Sequence, residues 1–329
     1  ARIMAVHEPL ALPPGMHLFE RDWLSSNGVL LVDRDSATLI DTGYVKHAAL
    51  TQALVANTLG SRALDRVINT HLHSDHCGGN ALLRRTWGCQ IVVPRASVAA
   101  VNAWDAERLS FRSTGQRCEP FIADAALESG SIIRLGGMDW EVIAAPGHDP
   151  DSVVLWCEEH RILISADALW QRGFGVIFPA LTKSGTPIEP NALSGPGGAG
   201  EVGAFDEQRA ILDRIAKLKV RWVIPGHGPA FDEVGRALDS AYSLLDTLCA
   251  EPERNARHAV KVLLKFLLLD QERIDLASLP NWFGSIGLVR AANQHYLRYN
   301  DGSSLTDWAV SALVASGAAR IEDGTLLNP

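Results

Sequence analysis

Residues 69–80 constrain this chain more than any other stretch of its sequence. They place four potential metal ligands within six residues, namely His71, His73, Asp75 and His76. Imidazole is a strong ligand for zinc-like metals, and a neighbouring carboxylate adds negative charge and a hydrogen-bond acceptor. Because an apolar run at 67–68 precedes the cluster, the pattern predicts a metal site at the end of a buried strand. The alternative is a polar surface loop that is rich in histidine.

The size and composition of the chain limit its class. With 329 residues, of which 47% are hydrophobic, it can bury one large core or a large and a small core, and we expect two units. The net charge of −8 argues against broad electrostatic capture of nucleic acid. The most apolar stretch, 260–269, is about half the length needed to span a bilayer, so it predicts a buried helix and no membrane partner.

The cysteines and the N-terminus bear on the compartment. Five cysteines are scattered without CxxC spacing, and an odd number cannot pair completely. This usage is typical of reduced thiols in a cytoplasmic protein. No basic segment followed by an apolar stretch opens the sequence, so we expect no signal peptide.

The pattern before the histidine cluster predicts strands and then a helix. Residues 16–19, 28–32 and 37–40 are apolar runs separated by turn signals, as in a β-meander. The last run ends at Asp41, which is expected either to orient a metal-bound histidine or to cap the turn. Residues 47–59 then have apolar positions at helical spacing, and 66–68 form a short buried strand.

Three further candidate ligands each follow a β-like run. His148 comes after a predicted strand at 140–145, Asp167 after one at 162–165, and His227 after one at 222–224. Each of them alone has a structural explanation as good as a functional one. Together with the histidine cluster, their positions predict that strand ends bring all of them to one edge of the fold.

The remaining segments are less regular. Residues 105–125 are expected to be a surface excursion, with a wall of the substrate pocket as the alternative. The stretch 171–203 is rich in Gly and Pro and is either mobile or a lid over the site. The C-terminal pattern predicts helices and a closing hairpin at 319–327; the helices are expected at 233–248, 255–269, 271–279, 286–297 and 305–315.

The ligand set resembles that of the metallo-β-lactamase superfamily, in the branch with hydroxyacylglutathione hydrolases (glyoxalase II) and lactonases. The resemblance covers about residues 10–240 and implies a four-layer αβ/βα sandwich with a binuclear metal site. The tail after about residue 250 resembles the winged-helix domain that is appended to some members. We therefore expect a catalytic domain at 1–250 and a helical, winged-helix-like domain at 251–329; the alternative for the tail is a helical cap that packs on the first domain. One ion would be held by His71, His73 and His148, and the second by Asp75, His76 and His227, with Asp167 bridging the two.

The implied cofactor is a pair of divalent ions, most simply Zn²⁺, although iron or manganese also accepts such ligands. Two divalent ions less the charges of Asp75 and Asp167 leave the site near +2, so a bridging water should ionise near neutral pH. The predicted nucleophile is that hydroxide. Asp75 is also the predicted catalytic residue, because it can orient the nucleophile and pass a proton to the leaving group.

Departures from the patterns of individual family branches reduce the range of expected substrates. Classical β-lactamases of the superfamily generally lack the bridging carboxylate, so Asp167 argues against β-lactam hydrolysis. Trp170 stands where the best-known lactonases have a tyrosine. The glyoxalase II pattern has cationic residues in its tail, but Lys261, Lys265, Arg290 and Arg298 do not align with it.

We therefore predict a hydrolase of a small-molecule thioester, lactone or ester. Aromatic residues after the bridging carboxylate are expected either to form an apolar wall for the substrate or to pack in the core; they are Trp170, Phe174 and Phe178. The alternative is a phosphodiesterase, a nuclease or a nucleic-acid-binding regulator that uses the C-terminal module, which the acidic composition disfavours. A homo-oligomer is left open.

Overall fold

Two mixed β-sheets form the centre of the molecule in the computed structural model, which describes residues 11–178 and 201–329. The six strands of the first sheet lie in sequence order: β1 (Met16–Phe19), β2 (Gly28–Val32), β3 (Ala37–Ile40), β4 (Arg66–Ile68), β5 (Gln90–Pro94) and β6 (Ala125–Leu127). The first three strands are antiparallel, as the meander pattern predicts, and β3 to β6 are parallel.

The second sheet is mostly antiparallel. Its five strands are β7 (Ile132–Leu135), β8 (Met138–Ala144), β9 (Val153–Cys157), β10 (Ile162–Ala166) and β11 (Trp222–Pro225). Among these strands the pair β10–β11 is parallel, because a helical crossover joins the two. Strands β9 and β10 are buried along their whole length, which explains their continuous apolar sequences.

Helices cover the outer face of each sheet. Those associated with the first sheet are α1 (Ala48–Leu59), α2 (Ser74–Cys77), α3 (Asn80–Trp87), α4 (Val98–Ala103) and α5 (Phe111–Thr114). Those on the second sheet are α6 (Glu201–Lys217) and α7 (Val234–Ala250). Short 3₁₀ helices lie at Val45–His47 and Arg95–Ser97.

The two sheets and their helices share three hydrophobic clusters. Inner-face residues of the two sheets pack against each other around the fully buried Trp140. A second cluster joins the outer face of the first sheet to its helices, and a third joins the second sheet to α6 and α7. The order helix, sheet, sheet, helix confirms the predicted four-layer sandwich.

The C-terminal part of the chain has its own apolar cluster. Its helices are α8 (Pro252–Gln271), α9 (Leu279–Ser285), α10 (Gly287–Ala292) and α11 (Gly302–Ala315), with a 3₁₀ turn at Leu276–Ser278 and a π turn at Asn293–Leu297. A small antiparallel sheet closes it in the order β12 (Arg273–Asp275), β14 (Thr325–Leu327), β13 (Arg320–Glu322). The division of the chain at residue 250 and the winged-helix-like assignment stay predictions.

The helix predicted at 271–279 is wrong. Glu272 ends α8 with a φ of 64°, and the chain then enters strand β12 with only Ile274 buried. This strand pairs with β14, which lies far along the chain. Pairing with a distant strand outweighs a local helical pattern, because apolar spacing in so short a segment does not separate strand from helix.

The segment 105–125 is not a simple surface excursion. Phe111 and Phe121 are each 6% exposed and belong to the cluster behind the first sheet. Arg117 forms an ion pair with Asp270 of α8, and the Tyr44 hydroxyl donates a hydrogen bond to the same carboxylate. The segment therefore connects the first sheet to the C-terminal helices.

The stretch 171–203 is predicted to be either mobile or a lid. The structure describes it up to residue 178 and again from residue 201, where α6 begins, so most of this stretch lies outside the described residues.

Among the described residues, no helix combines the length and the apolar character that crossing a membrane requires.

Candidate metal centre

The predicted ligands meet at one edge of the two sheets. The histidine cluster follows β4, His148 follows β8, Asp167 follows β10 and His227 follows β11. The ligand atoms form three groups, and within each group they all lie within 4.8 Å of one another. The first group is His71, His73 and His148, the second is His71, His76 and Asp167, and the third is Asp75, His76 and His227. Every residue of the predicted ligand set is thus in contact with this centre.

Asp167 lies between the two outer groups. Its Oδ2 is 3.3 Å from Nε2 of His148, whereas its Oδ1 is 3.5 Å from Nε2 of His76 and 4.0 Å from Nε2 of His227. The backbone at Ala166 has a φ of 45°, and the Gly226 amide donates to its carbonyl oxygen. This turn directs each oxygen of the Asp167 carboxylate toward a different group of ligands.

Asp41 organises the side of the centre that comes from the first sheet. Its Oδ2 accepts hydrogen bonds from Nδ1 of His76 at 2.8 Å and from Oγ1 of Thr70 at 2.7 Å, and its Oδ1 accepts from the Thr70 amide at 2.9 Å. Because the Thr70 hydroxyl donates to Asp41, it can accept a hydrogen bond from Nδ1 of His71, which is 3.2 Å away. Both ring orientations leave Nε2 pointing into the centre.

The two roles expected for Asp41 are therefore combined. Its φ of 57° places it in a left-handed turn directly after β3, and its carboxylate orients one histidine directly and a second through Thr70. An oriented partner on the distal ring nitrogen is a general feature of histidines that bind metal ions.

A different segment supports the side of the centre that comes from the second sheet. We call residues 173–178 the strap. The carbonyl oxygen of Val176 accepts a hydrogen bond from Nδ1 of His148 at 2.7 Å, and the amide of Gly175 donates to the carbonyl oxygen of Asp167 at 2.7 Å. A Cβ atom on Gly175 would lie 2.6 Å from Nδ1 of His148, so only glycine fits there.

His73 of the histidine cluster completes the ligand group that contains His148. Its Nδ1 is 2.8 Å from Nε2 of His148, and its Nε2 is 3.7 Å from Oδ2 of Asp149. Since Nδ1 of His148 donates to Val176, its Nε2 carries the lone pair that faces His73. Burial and the nearby Asp151 raise the pKa of Asp149 to about 6.

The histidines of the centre differ in the direction in which their pKa values are shifted. Burial lowers the pKa of His71 well below its usual value, and burial together with His73 lowers the pKa of His148 to about 4. Burial opposes protonation of His76 too, but the carboxylates of Asp167 and Asp41 raise its pKa well above the usual value. Neutral imidazole is the form that binds metal ions.

The unmatched polar atoms test whether these residues suit a metal ion. Within 11–178 and 201–329, Nε2 of His71 is buried and has no hydrogen-bond partner, and the buried Nε2 of His76 has only the long contact of 3.5 Å to Oδ1 of Asp167. A buried polar atom without a partner costs free energy, and both atoms point to the centre beside the buried carboxylate of Asp167. The donor set of nitrogen and carboxylate oxygen atoms fits a divalent ion such as Zn²⁺.

The three aromatic residues predicted to line the substrate site are placed differently. Trp170 is partly buried, and its Nε1 donates to Oδ1 of Asp167 at 3.2 Å. The ring of Phe178 lies 6.4 Å from that of His73 and also packs on the C-terminal cluster. Phe174 is 4% exposed within the core of the second sheet, which corresponds to the packing alternative.

Sequence reasoning missed Trp23, a residue of the β1–β2 loop. Its ring stacks on His227 with a centroid distance of 5.4 Å and an interplanar angle of 9°, and it also contacts Trp170 edge to face. Trp23 is nevertheless 59% exposed. No periodic or motif signal marks a tryptophan in a polar loop, and only the tertiary structure brings it to the centre.

The neighbours Ser74 and Cys77 have structural partners. Oγ of Ser74 donates to Oε1 of Gln116 at 2.6 Å, and the sulfur of Cys77 lies 3.8 Å from that of Cys118. All five cysteines of the chain are free thiols, in agreement with the expectation from their spacing.

The sequence of the chain is similar to two kinds of curated protein. Human mitochondrial persulfide dioxygenase ETHE1 is 36% identical over 147 residues, which are 44% of this chain and 49% of the relative. A hydroxyacylglutathione hydrolase of Rhodopseudomonas palustris (strain BisB18) is 26% identical over 151 residues, 46% of this chain and 51% of the relative. The chain thus spans about half the length of these relatives.

Solved structures share the fold. A metallo-beta-lactamase family protein from Thermus thermophilus has a TM-score of 0.57 at 18% identity, covering 97% of this chain and 100% of that one. A metallo-beta-lactamase from Cronobacter sakazakii has a TM-score of 0.55 at 17% identity, over 73% and 93% of the two chains. The family model of the metallo-beta-lactamase superfamily matches residues 21–227, well over half of the sequence. The chain belongs to the metallo-beta-lactamase superfamily.

Proposed function

We propose that this protein is a binuclear metal-dependent hydrolase that cleaves an ester-type bond, a thioester, lactone or ester, in a small molecule. The observation that carries the proposal is the position of Asp167, whose two carboxylate oxygens face two separate groups of ligands. A carboxylate in that position can bridge two ions. The similarity to hydroxyacylglutathione hydrolases supports a carbonyl substrate.

The proposed ligands follow the two outer groups. His71, His73 and His148 would hold one ion, and Asp75, His76 and His227 the other. When bound, two divalent ions lower the pKa of water and polarise a carbonyl oxygen. Zinc is the simplest choice for these ligands, whereas iron and manganese also suit mixtures of imidazole and carboxylate.

Asp75 is the proposed catalytic residue. Its Oδ2 is 3.0 Å from Nε2 of His227, and this contact lowers the pKa of Asp75 against the effect of burial. The carboxylate is therefore ionised at neutral pH. We assign it the task of accepting a proton from the attacking water and transferring that proton to the leaving group.

Aromatic side chains would contact the apolar part of the substrate. Trp170 and Trp23 form one wall beside His227, and Phe178 lies near His73. Ligand sites of this kind combine an apolar wall with a few polar groups that fix orientation. The core position of Phe174 does not suit direct contact with a substrate.

The C-terminal helices do not favour nucleic acid as the substrate. Helix α11, the last helix before the hairpin, contains no Lys or Arg and carries Asp307. Lys265 and Arg290 instead bond to carbonyl oxygens of their own region.

Helix α8 carries four cationic residues, Arg254, Arg257, Lys261 and Lys265. Two of them are paired with acidic neighbours, Arg254 with Glu251 and Arg257 with Glu253. Binding to phosphates requires clustered cations, and this pairing reduces the positive charge that α8 offers.

Oxidation of a persulfide is the second candidate function, because persulfide dioxygenase is among the relatives at 36% identity. A single iron ion held by two histidines and one carboxylate is sufficient for that type of reaction. The second group of ligands, Asp75, His76 and His227, favours the hydrolase. Oxygen uptake by the iron-loaded protein in the presence of a hydropersulfide tests this candidate directly.

The experiment for the hydrolase is proton release by zinc-reconstituted protein with four substrates: an acyl thioester, an acyl lactone, a β-lactam and an aryl phosphodiester. We expect turnover with the thioester or the lactone. Asp167→Asn keeps the shape of the side chain but removes its charge, so turnover should fall by at least about 100-fold. Turnover confined to the phosphodiester, or an unchanged rate for Asp167→Asn, would contradict the proposal.

A further inference from the structure

The C-terminal helix α8 reaches the strap through one buried side chain. Nδ2 of Asn255 donates a hydrogen bond to the carbonyl oxygen of Ile177 at 2.9 Å, across 78 residues of sequence. Asn255 is completely buried. Burial of a side-chain amide is costly unless its hydrogen bonds are made, so this contact defines the position of the strap at Ile177.

Ile177 is adjacent to the residue that holds His148. The carbonyl oxygen of Val176 accepts the hydrogen bond from Nδ1 of His148 at 2.7 Å. Peptide planes are rigid, and only the φ and ψ angles of Ile177 separate the two carbonyl groups. A restraint on the Ile177 carbonyl therefore limits the direction of the Val176 carbonyl.

The strap is restrained on both sides of Val176 and Ile177. Before them, Gly175 donates to the backbone of Asp167 and leaves no space for a Cβ beside His148. After them, Phe178 packs on the C-terminal cluster while its ring lies near His73. Between Val176 and Phe178, the hydrogen bond from Asn255 is the contact that fixes the direction of the Ile177 carbonyl group, whereas apolar packing does not fix such a direction.

We propose that Asn255 is a positioning residue for the metal centre: it holds the strap so that Val176 keeps Nε2 of His148 directed at the ligand group of His71 and His73. The C-terminal region thereby contributes to metal affinity although it supplies no ligand of its own. This inference rests on the proposed function only in assuming that the group binds a metal ion.

The test compares cobalt binding by purified variants of this 329-residue chain. Asn255→Leu has a similar volume but no donor, and Asn255→Ala is smaller and introduces no new packing. Co²⁺ affinity is measured by competition with a chromophoric chelator, and the visible absorption of bound Co²⁺ reports the geometry of its ligands. Thr306→Val is the matched control, because Thr306 is a buried polar residue of the same region that bonds within its own helix.

Both Asn255 variants should release Co²⁺ from the His148 group about tenfold more readily than the wild type, with an altered absorption spectrum. Thr306→Val should keep the affinity and spectrum of the wild type even where its thermal stability falls. If Asn255→Leu does not fold, Asn255→Ala alone decides. Wild-type affinity and spectrum in a folded Asn255 variant would overturn the inference. If the wild type binds Co²⁺ but hydrolyses no thioester, lactone or ester, the proposed function is overturned and the inference on Asn255 is not.

Discussion

The two sides of the metal centre are held by different kinds of structure. On the side of the first sheet, a buried network of side chains joins Asp41, Thr70, His71 and His76. On the side of the second sheet, the backbone carbonyl group of Val176 in the strap orients His148. The first arrangement is built from residues close to the strand ends, whereas the second depends on a distant helix. A change at one side chain should therefore disrupt the first side, while the second side should respond to changes in the backbone path.

Replacement of Asp41 should have the largest effect. Asp41→Ala removes the acceptor of three hydrogen bonds and leaves the buried His76 with one carboxylate neighbour fewer. The loss of one partner from a buried ionic contact costs about 3–5 kcal/mol, so we expect a decrease of that size in the free energy of unfolding of the metal-free protein. Denaturation by urea measures it.

The control for Asp41 is Asp35→Ala, which changes an exposed aspartate of the β2–β3 turn. Its stability should stay within about 0.5 kcal/mol of the wild type. Equal stability of Asp41→Ala and Asp35→Ala would show that the network around Asp41 does not hold the first side together.

Gly175→Ala tests the backbone of the second side. The new Cβ would lie 2.6 Å from Nδ1 of His148 and 2.8 Å from Cβ of Asp167, so the strap has to move. Such overpacking typically costs about 1–3 kcal/mol. We also expect zinc affinity to fall at least about tenfold, because His148 loses its orientation. Isothermal titration with zinc checks the second effect.

Gly235→Ala is the matched control for this substitution. Gly235 lies in α7, and a Cβ there would meet no atom within 4 Å. Alanine in place of glycine in a helix stabilises by about 0.5–1 kcal/mol. If Gly175→Ala behaves like Gly235→Ala, the strap does not constrain the centre.

Thr70→Val should have an intermediate effect on the first side. The substitution keeps the shape of the side chain but removes the hydroxyl between Asp41 and His71. We expect a loss of about 1–3 kcal/mol, since a buried charged acceptor loses one donor. Thr38→Val provides the comparison, because Oγ1 of Thr38 is buried and has no partner among the residues that the structure describes. Thermal unfolding should show Thr38→Val as neutral or more stable; equal losses would contradict the assignment.

Trp23→Ala should have the smallest effect on stability and a selective effect on substrate use. Trp23 is 59% exposed, so the free energy of unfolding should change by no more than about 0.5 kcal/mol. If its ring forms part of the substrate wall, KM for a naphthyl thioester should rise several-fold, whereas KM for the acetyl thioester should stay the same. An equal change in KM for both substrates would show that Trp23 is not part of the substrate wall.

The contrast between the two sides also explains which features could be predicted from the sequence. The ligands of the first side are four residues within one short segment, and strand-end positions identify the other three, so local pattern is sufficient for the ligand set. Helices and strands of the sandwich follow from apolar spacing for the same reason. The family pattern adds the order of the layers.

Contacts between distant residues were not predictable in this way. The hydrogen bond from Asn255 to Ile177, the stacking of Trp23 on His227 and the pairing of β12 with β14 each join parts of the chain that no local pattern relates. The same limitation explains the wrong helix at 271–279 and the misplaced surface excursion at 105–125.

The most direct test of a binuclear centre is the number of zinc ions bound per chain, measured by elemental analysis after reconstitution and removal of free metal. The wild type should bind two ions. His148→Ala and His227→Ala should each retain one, because the two histidines belong to different ligand groups. A wild type that binds a single ion, with His227→Ala unchanged from it, would contradict the binuclear centre and favour the single-ion alternative.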